Sequence, residues 1–415
     1  MKLLKQNTFL ANSFIMFAGS MLVAFLNYAY YPVIARLVSP DQFGEIQVLV
    51  SIYLQISIVF TAINVASIRL IADKEANSSN IVRGFNLLIF YSFLLLSILS
   101  ILFIGQVQMF FKFNDMIPFL VTVFALLLSV PINYWLAYMQ GNKDFVGYSY
   151  LNVVASGLKL LAAVGLIWIG FGVAGAVGSI VVGQICALVF IRFRKSNLPS
   201  LMPFITFAKV KYVEIKPYIP FLLTGAIATL ALTFLFICDL FAAKHFLNPY
   251  DAGLYSGMSS IARVVYFACA PLAAVLLASV NRGDIAKSRR NLRTSFILTT
   301  LVGGGICLVY YIWPHQIIEL VIGVQFTQYS SLLWKLATSF FFLSLFSLIL
   351  FYSISLKRYI EVVLVCLAAY SFLSFAGNVE LTPLTIVDSI WVISVSLLAV
   401  TIFLSFIRFL KGKVV

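Results

Sequence analysis

The sequence predicts an all-α integral membrane protein, with twelve transmembrane helices in two six-helix lobes around a central cavity. Three observations predict it. Hydrophobic residues make up 62% of the chain and charged residues only 10%, with a mean hydropathy of +1.05. Apolar runs recur at the length a bilayer demands of a helix, about 20 residues. One loop also recurs: Val38-Ser39-Pro40-Asp41-Gln42-Phe43-Gly44 returns in the second half as Leu247-Asn248-Pro249-Tyr250-Asp251-Ala252-Gly253, each copy between two apolar runs. A repeated span–loop–span element is the mark of a doubled bundle, a common plan among transporters.

Hydrocarbon offers no partner to an exposed peptide group, so the spans must be helices. A β-barrel would alternate over segments of about ten residues, and this chain does not. Windows 12–36, 44–72, 84–106, 116–140, 146–169 and 173–193 form the first lobe, residues 1–193. Residues 194–215, with Pro199, Pro203 and a basic second half, read as a cytoplasmic linker, within which 201–213 could lie on the membrane surface as an amphipathic helix. Windows 216–243, 253–279, 294–314, 329–355, 358–376 and 384–407 form the second lobe, residues 216–415. A weaker echo joins the lobes, Lys143-Asp144-Phe145-Val146 against Lys357-Arg358-Tyr359-Ile360. Six is an even number of spans, so the halves repeat in one orientation, about an axis along the membrane normal.

Charge placement tests the windows independently. Arg192, Arg194, Lys195, Lys209, Lys211 and Lys216 crowd the sixth loop, and Arg282, Lys287, Arg289, Arg290 and Arg293 the eighth. The odd-numbered loops and their borders hold only Arg36, Lys112 and Lys244. By the positive-inside rule both termini are cytoplasmic. The net charge of +14 is therefore mostly topology, and basic residues scattered over short loops argue against nucleic acid as a partner. The first apolar run is too long for a cleavable signal peptide. Cys186, Cys238, Cys269, Cys307 and Cys366 fall inside spans without motif spacing and read as small buried residues. His245 and His315 stand alone at outer span ends, so neither a metal nor a cofactor is expected.

Three stretches carry a resemblance. Pro40-Asp41-Gln42-Phe43-Gly44 follows a first span ending in Ile34-Ala35-Arg36-Leu37, Met139 to Tyr148 (MQGNKDFVGY) leads into the fifth span, and Gly323-Val324-Gln325-Phe326-Thr327-Gln328-Tyr329 precedes the tenth. In these, and in length and hydropathy, the chain resembles the polysaccharide (O-antigen repeat-unit) flippases of the multidrug/oligosaccharidyl-lipid/polysaccharide exporter superfamily. The third stretch lacks the acid of that family's Gly–acid–Tyr pattern. The resemblance implies a bacterial inner-membrane protein of lipopolysaccharide or related surface-polysaccharide synthesis. It would carry a polyprenyl-diphosphate-linked oligosaccharide from the cytoplasmic to the outer leaflet by alternating access, binding and releasing it without chemistry. Membrane lipid, a polysaccharide polymerase and a chain-length regulator are the partners it implies.

Arg69, Lys159, Arg263 and Lys335 fall within spans. A base at the centre of a lipid-facing helix costs about 2.5–3.5 kcal/mol on the insertion scale, so such residues turn to protein, water or ligand. A lipid diphosphate needs such cations: Arg offers a planar fork to phosphate oxygens and Lys a point charge. Arg69 and Lys335 lie close enough to span ends to snorkel instead, whereas Lys159 and Arg263 are deeper. The resemblance strengthens Arg263, because in that superfamily the first, second, seventh and eighth spans line the cavity. Asp239 reads as the one acid clearly within a span, either paired with Arg36 or Arg263 or serving ion coupling. Glu45 is read as favouring a helix N-terminus, and Glu361 as solvated or paired with Lys357 or Arg358. Asn27, Tyr28 and Tyr31, from the cluster Asn27-Tyr28-Ala29-Tyr30-Tyr31, and Gln55 and Asn64 in span two are candidate sugar contacts, with an aromatic belt the alternative for the tyrosines. The glycines of 172–178 are read as permitting close helix packing.

Two other classes compete. A drug or cation exporter of the same fold predicts an anionic cavity. An integral-membrane polymerase or glycosyltransferase predicts a sizeable outer loop or clustered outer acids, and the sequence has neither.

Overall fold

A computed structural model describes residues 2–58, 60, 64, 67, 68, 71, 78–193, 219–280, 284–356 and 358–410. Each of the twelve apolar windows is helical over most of its described residues. The first half comprises α1 (Lys2–Ala35), α2 (Pro40–Ser57), α3 (Ser78–Leu102), α4 (Ile104–Phe111), α5 (Ile117–Gly141), α6 (Phe145–Leu166) and α7 (Gly172–Phe193). The second comprises α8 (Ile219–Leu235), α9 (Cys238–Phe246), α10 (Pro249–Ala262), α11 (Val264–Ser279), α12 (Ile285–Ile312), α13 (Pro314–Ile322), α14 (Leu333–Ser355), α15 (Ile360–Ala376) and α16 (Pro383–Leu410). Among the described residues seven helices are long and apolar enough to cross a membrane, or nine if each of two bent pairs is one span. The linker 194–215, with its candidate surface helix, lies outside the described residues.

The repeated loop has one local role in both halves. Ser39 precedes α2 with φ −70° and ψ 158°, and Asn248 precedes α10 with φ −68° and ψ 158°. Each is followed by a proline at the first helical position, where the missing N–H costs nothing and the fixed φ already suits a helix. Asn248 accepts from the Asp251 N–H at 2.8 Å, and the Gln42 side chain accepts from the Ser39 N–H at 3.4 Å. The repeat is a helix start written twice.

Several apolar windows are broken rather than straight. α4 departs from α3 by 73°, and α9 from α8 by 48°. α10 and α11 meet at Arg263. The windows 146–169 and 173–193 meet in a tight π-turn, Ile167–Phe171, where Gly170 (φ 99°) and Gly172 (φ 47°) take conformations that favour glycine.

Residues 1–226 and 227–415 form two compact units, with the division inside α8. In the first, α6 packs along α1 and α7, over a core containing Tyr134, Trp135, Met139, Leu151 and Ile191. A second cluster joins Phe60, Ile89, Phe93, Leu126 and Val130. In the second unit α14 is central, packed on α11, α12 and α16, with Leu348 and Tyr352 against Ala273 and Leu276.

Candidate functional site

Each half brings charged or polar groups together on its own helices. In the first, Asn27, Tyr30 and Ile34 recur at helical spacing along α1. The Tyr30 hydroxyl donates to the Ala176 carbonyl of α7 at 2.8 Å, which fixes its ring. Lys159, on α6, places its ammonium 4.8 Å from the centre of that ring and 2.5 Å from the Asn27 Oδ1. A cation over an aromatic face is attracted by the ring quadrupole. The approach of α7 behind the lysine depends on Gly183, where a Cβ would lie 2.8 Å from the Ala155 carbonyl oxygen and 3.2 Å from the Lys159 Cβ.

Lys159 is partly buried, and among the described residues no carboxylate stands within ion-pair distance of it. An ammonium has three donors, and Asn27 takes one. What remains is a point charge within a membrane-spanning helix, suited to an anionic group. Nearby polar groups are tied between helices: Gln184 Nε2 of α7 donates to the Tyr53 hydroxyl of α2 at 3.0 Å. Asn64 donates to Asn133 at 3.2 Å, and Asn133 to the Ser129 carbonyl at 2.8 Å. Tyr28, Tyr31 and Gln55 are partly buried, and Tyr31 packs edge-on to Tyr30.

In the second half, Arg263 stands at the α10–α11 break and is 7% exposed. Its guanidinium meets Asp239 Oδ1 at 2.5 Å, its Nε donates to the Phe236 carbonyl at 2.9 Å, and it lies 5.5 Å from the centre of the Phe340 ring. Ser259 donates to the other Asp239 oxygen. The Phe236 carbonyl belongs to the α8–α9 break, where no helical N–H serves it, so one side chain completes both breaks. A buried ion pair holds only if further hydrogen bonds satisfy it, and these do. Of the two partners the sequence allowed Asp239, the structure supplies Arg263, while Arg36 is exposed at the end of α1.

Lys335 pairs with Asp388 at 2.7 Å and lies 5.6 Å from the Trp391 ring. Asp388 sits within the apolar helix α16, so Asp239 is not the single intramembrane acid that sequence reading found. Glu45, near the start of α2, is buried and accepts from the Asn114 N–H, beyond α4, at 3.1 Å. Glu361 is 1% exposed rather than solvated, because it begins α15 on a buried face. The third matched stretch also gains a partner, as the Tyr329 hydroxyl donates to Asp251 of the repeated loop at 2.8 Å. The side chain of Arg69 lies outside the described residues.

Residues 33–331 match a family model described as polysaccharide biosynthesis protein. No curated protein matches the sequence. Among solved structures, the chain is similar to an inward-facing multidrug resistance MATE family transporter of the MOP superfamily, with a TM-score of 0.75 at 12% identity over 96% of this chain and 98% of that one. It is also similar to the lipid II flippase MurJ in an inward closed conformation, with a TM-score of 0.63 at 14% identity over 97% and 90%. A MOP superfamily transporter from Pyrococcus furiosus gives 0.61 at 12% over 95% and 94%. At such identities the likeness is one of fold.

Proposed function

This chain belongs to the polysaccharide biosynthesis protein family, and from that premise we propose that it is a flippase for a polyprenyl-diphosphate-linked oligosaccharide. The repeat unit, of O-antigen or a related surface polysaccharide, passes from the cytoplasmic to the outer leaflet of the bacterial inner membrane by alternating access, with both termini of the protein cytoplasmic. The carrier's lipid tail stays in the bilayer while its diphosphate and sugars cross, so the protein binds and releases without breaking a bond.

The observation that carries this reading is Lys159. Asp239 and Asp388 are each matched by a base, Arg263 and Lys335, whereas the Lys159 ammonium meets an amide oxygen and an aromatic ring. A cation held this way suits a diphosphate better than it suits a cationic drug. Asn27 and Tyr30 orient it, and Tyr28, Tyr31, Gln55 and Asn64 supply hydrogen-bonding groups for sugar.

The test is made in cells whose own copy has been deleted. Lys159→Ala at native protein level is expected to stop surface polysaccharide and to accumulate lipid-linked repeat unit, with partial recovery in Lys159→Arg. Normal surface polysaccharide from Lys159→Ala, or deletion without any accumulated lipid-linked sugar, overturns the reading.

A further inference from the structure

Two short helices, α4 and α13, are surplus to crossing the membrane. α3 has 25 residues, about 37 Å at 1.5 Å per residue, already longer than a hydrocarbon core of about 30 Å. α4 then turns away by 73°. α12, with 28 residues, is longer still; it stops at Trp313 (φ −128°, ψ 51°), and Pro314 opens α13. Each short helix therefore begins where the third span of its half has already finished.

They are copies of one another in place, though hardly in sequence. The offset that carries Gln106 onto Gln316 carries Phe110 onto Leu320, and all four are exposed. The same offset carries Val107 onto Ile317 and Phe111 onto Val321, all partly buried on the face turned to the protein. Each helix ends at a positive φ, Lys112 at 50° and Gly323 at 110°, and each is followed by a buried phenylalanine, Phe113 and Phe326. The segments after them are fastened alike, Asn114 to Glu45 of α2 and Tyr329 to Asp251 of α10.

Beyond Gln106 and Gln316 the outer flanks of these helices present large apolar side chains where a water-facing helix would be polar. Phe110 is 48% exposed and Leu320 76%. Each continues an exposed apolar stretch at the end of the preceding span, Leu102 and Phe103 in one half, Tyr311 and Trp313 in the other. On α13 the opposite flank carries His315 and Glu319, an exposed pair 3.9 Å apart. With one flank on protein, one polar and one apolar, α13 has the partition of an interfacial helix, while α4 carries Gly105 and the 81% exposed Met109 at the places of His315 and Glu319 and so offers the bilayer a wider apolar surface.

We infer that α4 and α13 are a repeated pair of lipid-docking helices, which seat Phe110 and Leu320 at the boundary between headgroups and acyl chains. The partner is the bilayer itself, and the inference holds whatever cargo the protein carries.

The full chain, with its cysteines changed to alanine, is spin-labelled in turn at Phe110→Cys, Leu320→Cys and His315→Cys and reconstituted in phosphatidylethanolamine–phosphatidylglycerol vesicles. Labels at 110 and 320 are expected to collide several-fold more with oxygen than with a water-soluble nickel chelate, and the label at 315 to show the reverse. Labels at 110 and 320 as open to nickel as 315, or shielded from both reagents, overturn the inference. Should the cysteine-free chain fold poorly, Phe110→Trp and Leu320→Trp are made with native cysteines. Stronger quenching of the added fluorescence by lipids brominated near the headgroup than by lipids brominated deep in the chain is expected, and unquenched fluorescence overturns it.

Discussion

Arg263 donates from Nε to the carbonyl of Phe236 at 2.9 Å, so a single guanidinium fastens the break between α10 and α11 to the break between α8 and α9. Its Nη2 donates to Asp239 Oδ1. Removing one member of a buried ion pair leaves the other uncompensated, at a cost of about 3–5 kcal/mol. Arg263→Ala and Asp239→Asn are each expected to lower the unfolding temperature of purified protein markedly. The double variant Arg263→Met/Asp239→Leu should lose less than either, as read by thermal unfolding in detergent.

Gly183 is the second point of stress. A methyl there meets the Ala155 carbonyl and the stem of Lys159, and overpacking costs about 1–3 kcal/mol. Gly183→Val should destabilise the first half and push Lys159 away from Asn27. Export should fall even where protein level is restored by higher expression, as a surface-polysaccharide assay would show.

In the second half Gly257 lies under the Phe326 ring, which a Cβ would overlap. Gly257→Ala should therefore cost about 1–3 kcal/mol. Trimming the ring in Gly257→Ala/Phe326→Leu should recover part of that loss, and a double-mutant cycle of unfolding temperatures checks it.

The bond from Tyr329 to Asp251 is partly exposed. Its loss in Tyr329→Phe should cost about 1 kcal/mol and quicken proteolysis in residues 324–332. Unchanged cleavage would show that Phe326 alone holds that segment.

Lys335 and Asp388 are considerably exposed, at 26% and 44% of their side chains. This pair is less enclosed than Arg263 and Asp239, at 9% and 0%, so Lys335→Met should lower the unfolding temperature less than Arg263→Ala does.

The helical class was legible because twenty apolar residues in a row admit only a helix in lipid, and the repeated loop was legible as a pair, while its role as a helix start came from the structure. The breaks were not. Hydropathy averaged over a window is blind to Phe236 and Arg263, whose apolar neighbours run on while the backbone turns. Asp388 escaped for a like reason, as one acid among Ile386, Val387, Ile390 and Trp391 hardly lowers a window mean. At the candidate sites, depth singled out Lys159 and Arg263, but depth does not distinguish a charge that is matched from one that is not. That distinction needed the partners, which arrive from other helices: Asn27 from α1, Asp239 from α9. Gly183 carried no signal of its own, since its necessity is written in the α6 backbone facing it. The helices α4 and α13 share few residues, and their likeness lies in their place after the third span and in the exposure of Gln106 and Phe110 like Gln316 and Leu320.

The unequal matching of charge has an electrical consequence. Asp239 with Arg263, and Asp388 with Lys335, each sum to zero, so shifting either pair along the membrane normal does no work against the membrane potential. Lys159 has no such counterweight among the described residues. Carrying one elementary charge across a full 100 mV is worth about 2.3 kcal/mol, and a movement of α6 that carries Lys159 through part of the bilayer draws on that energy in proportion to its travel. A proton held on Lys159 is the handle by which voltage can act on α6, while the two matched pairs offer it none.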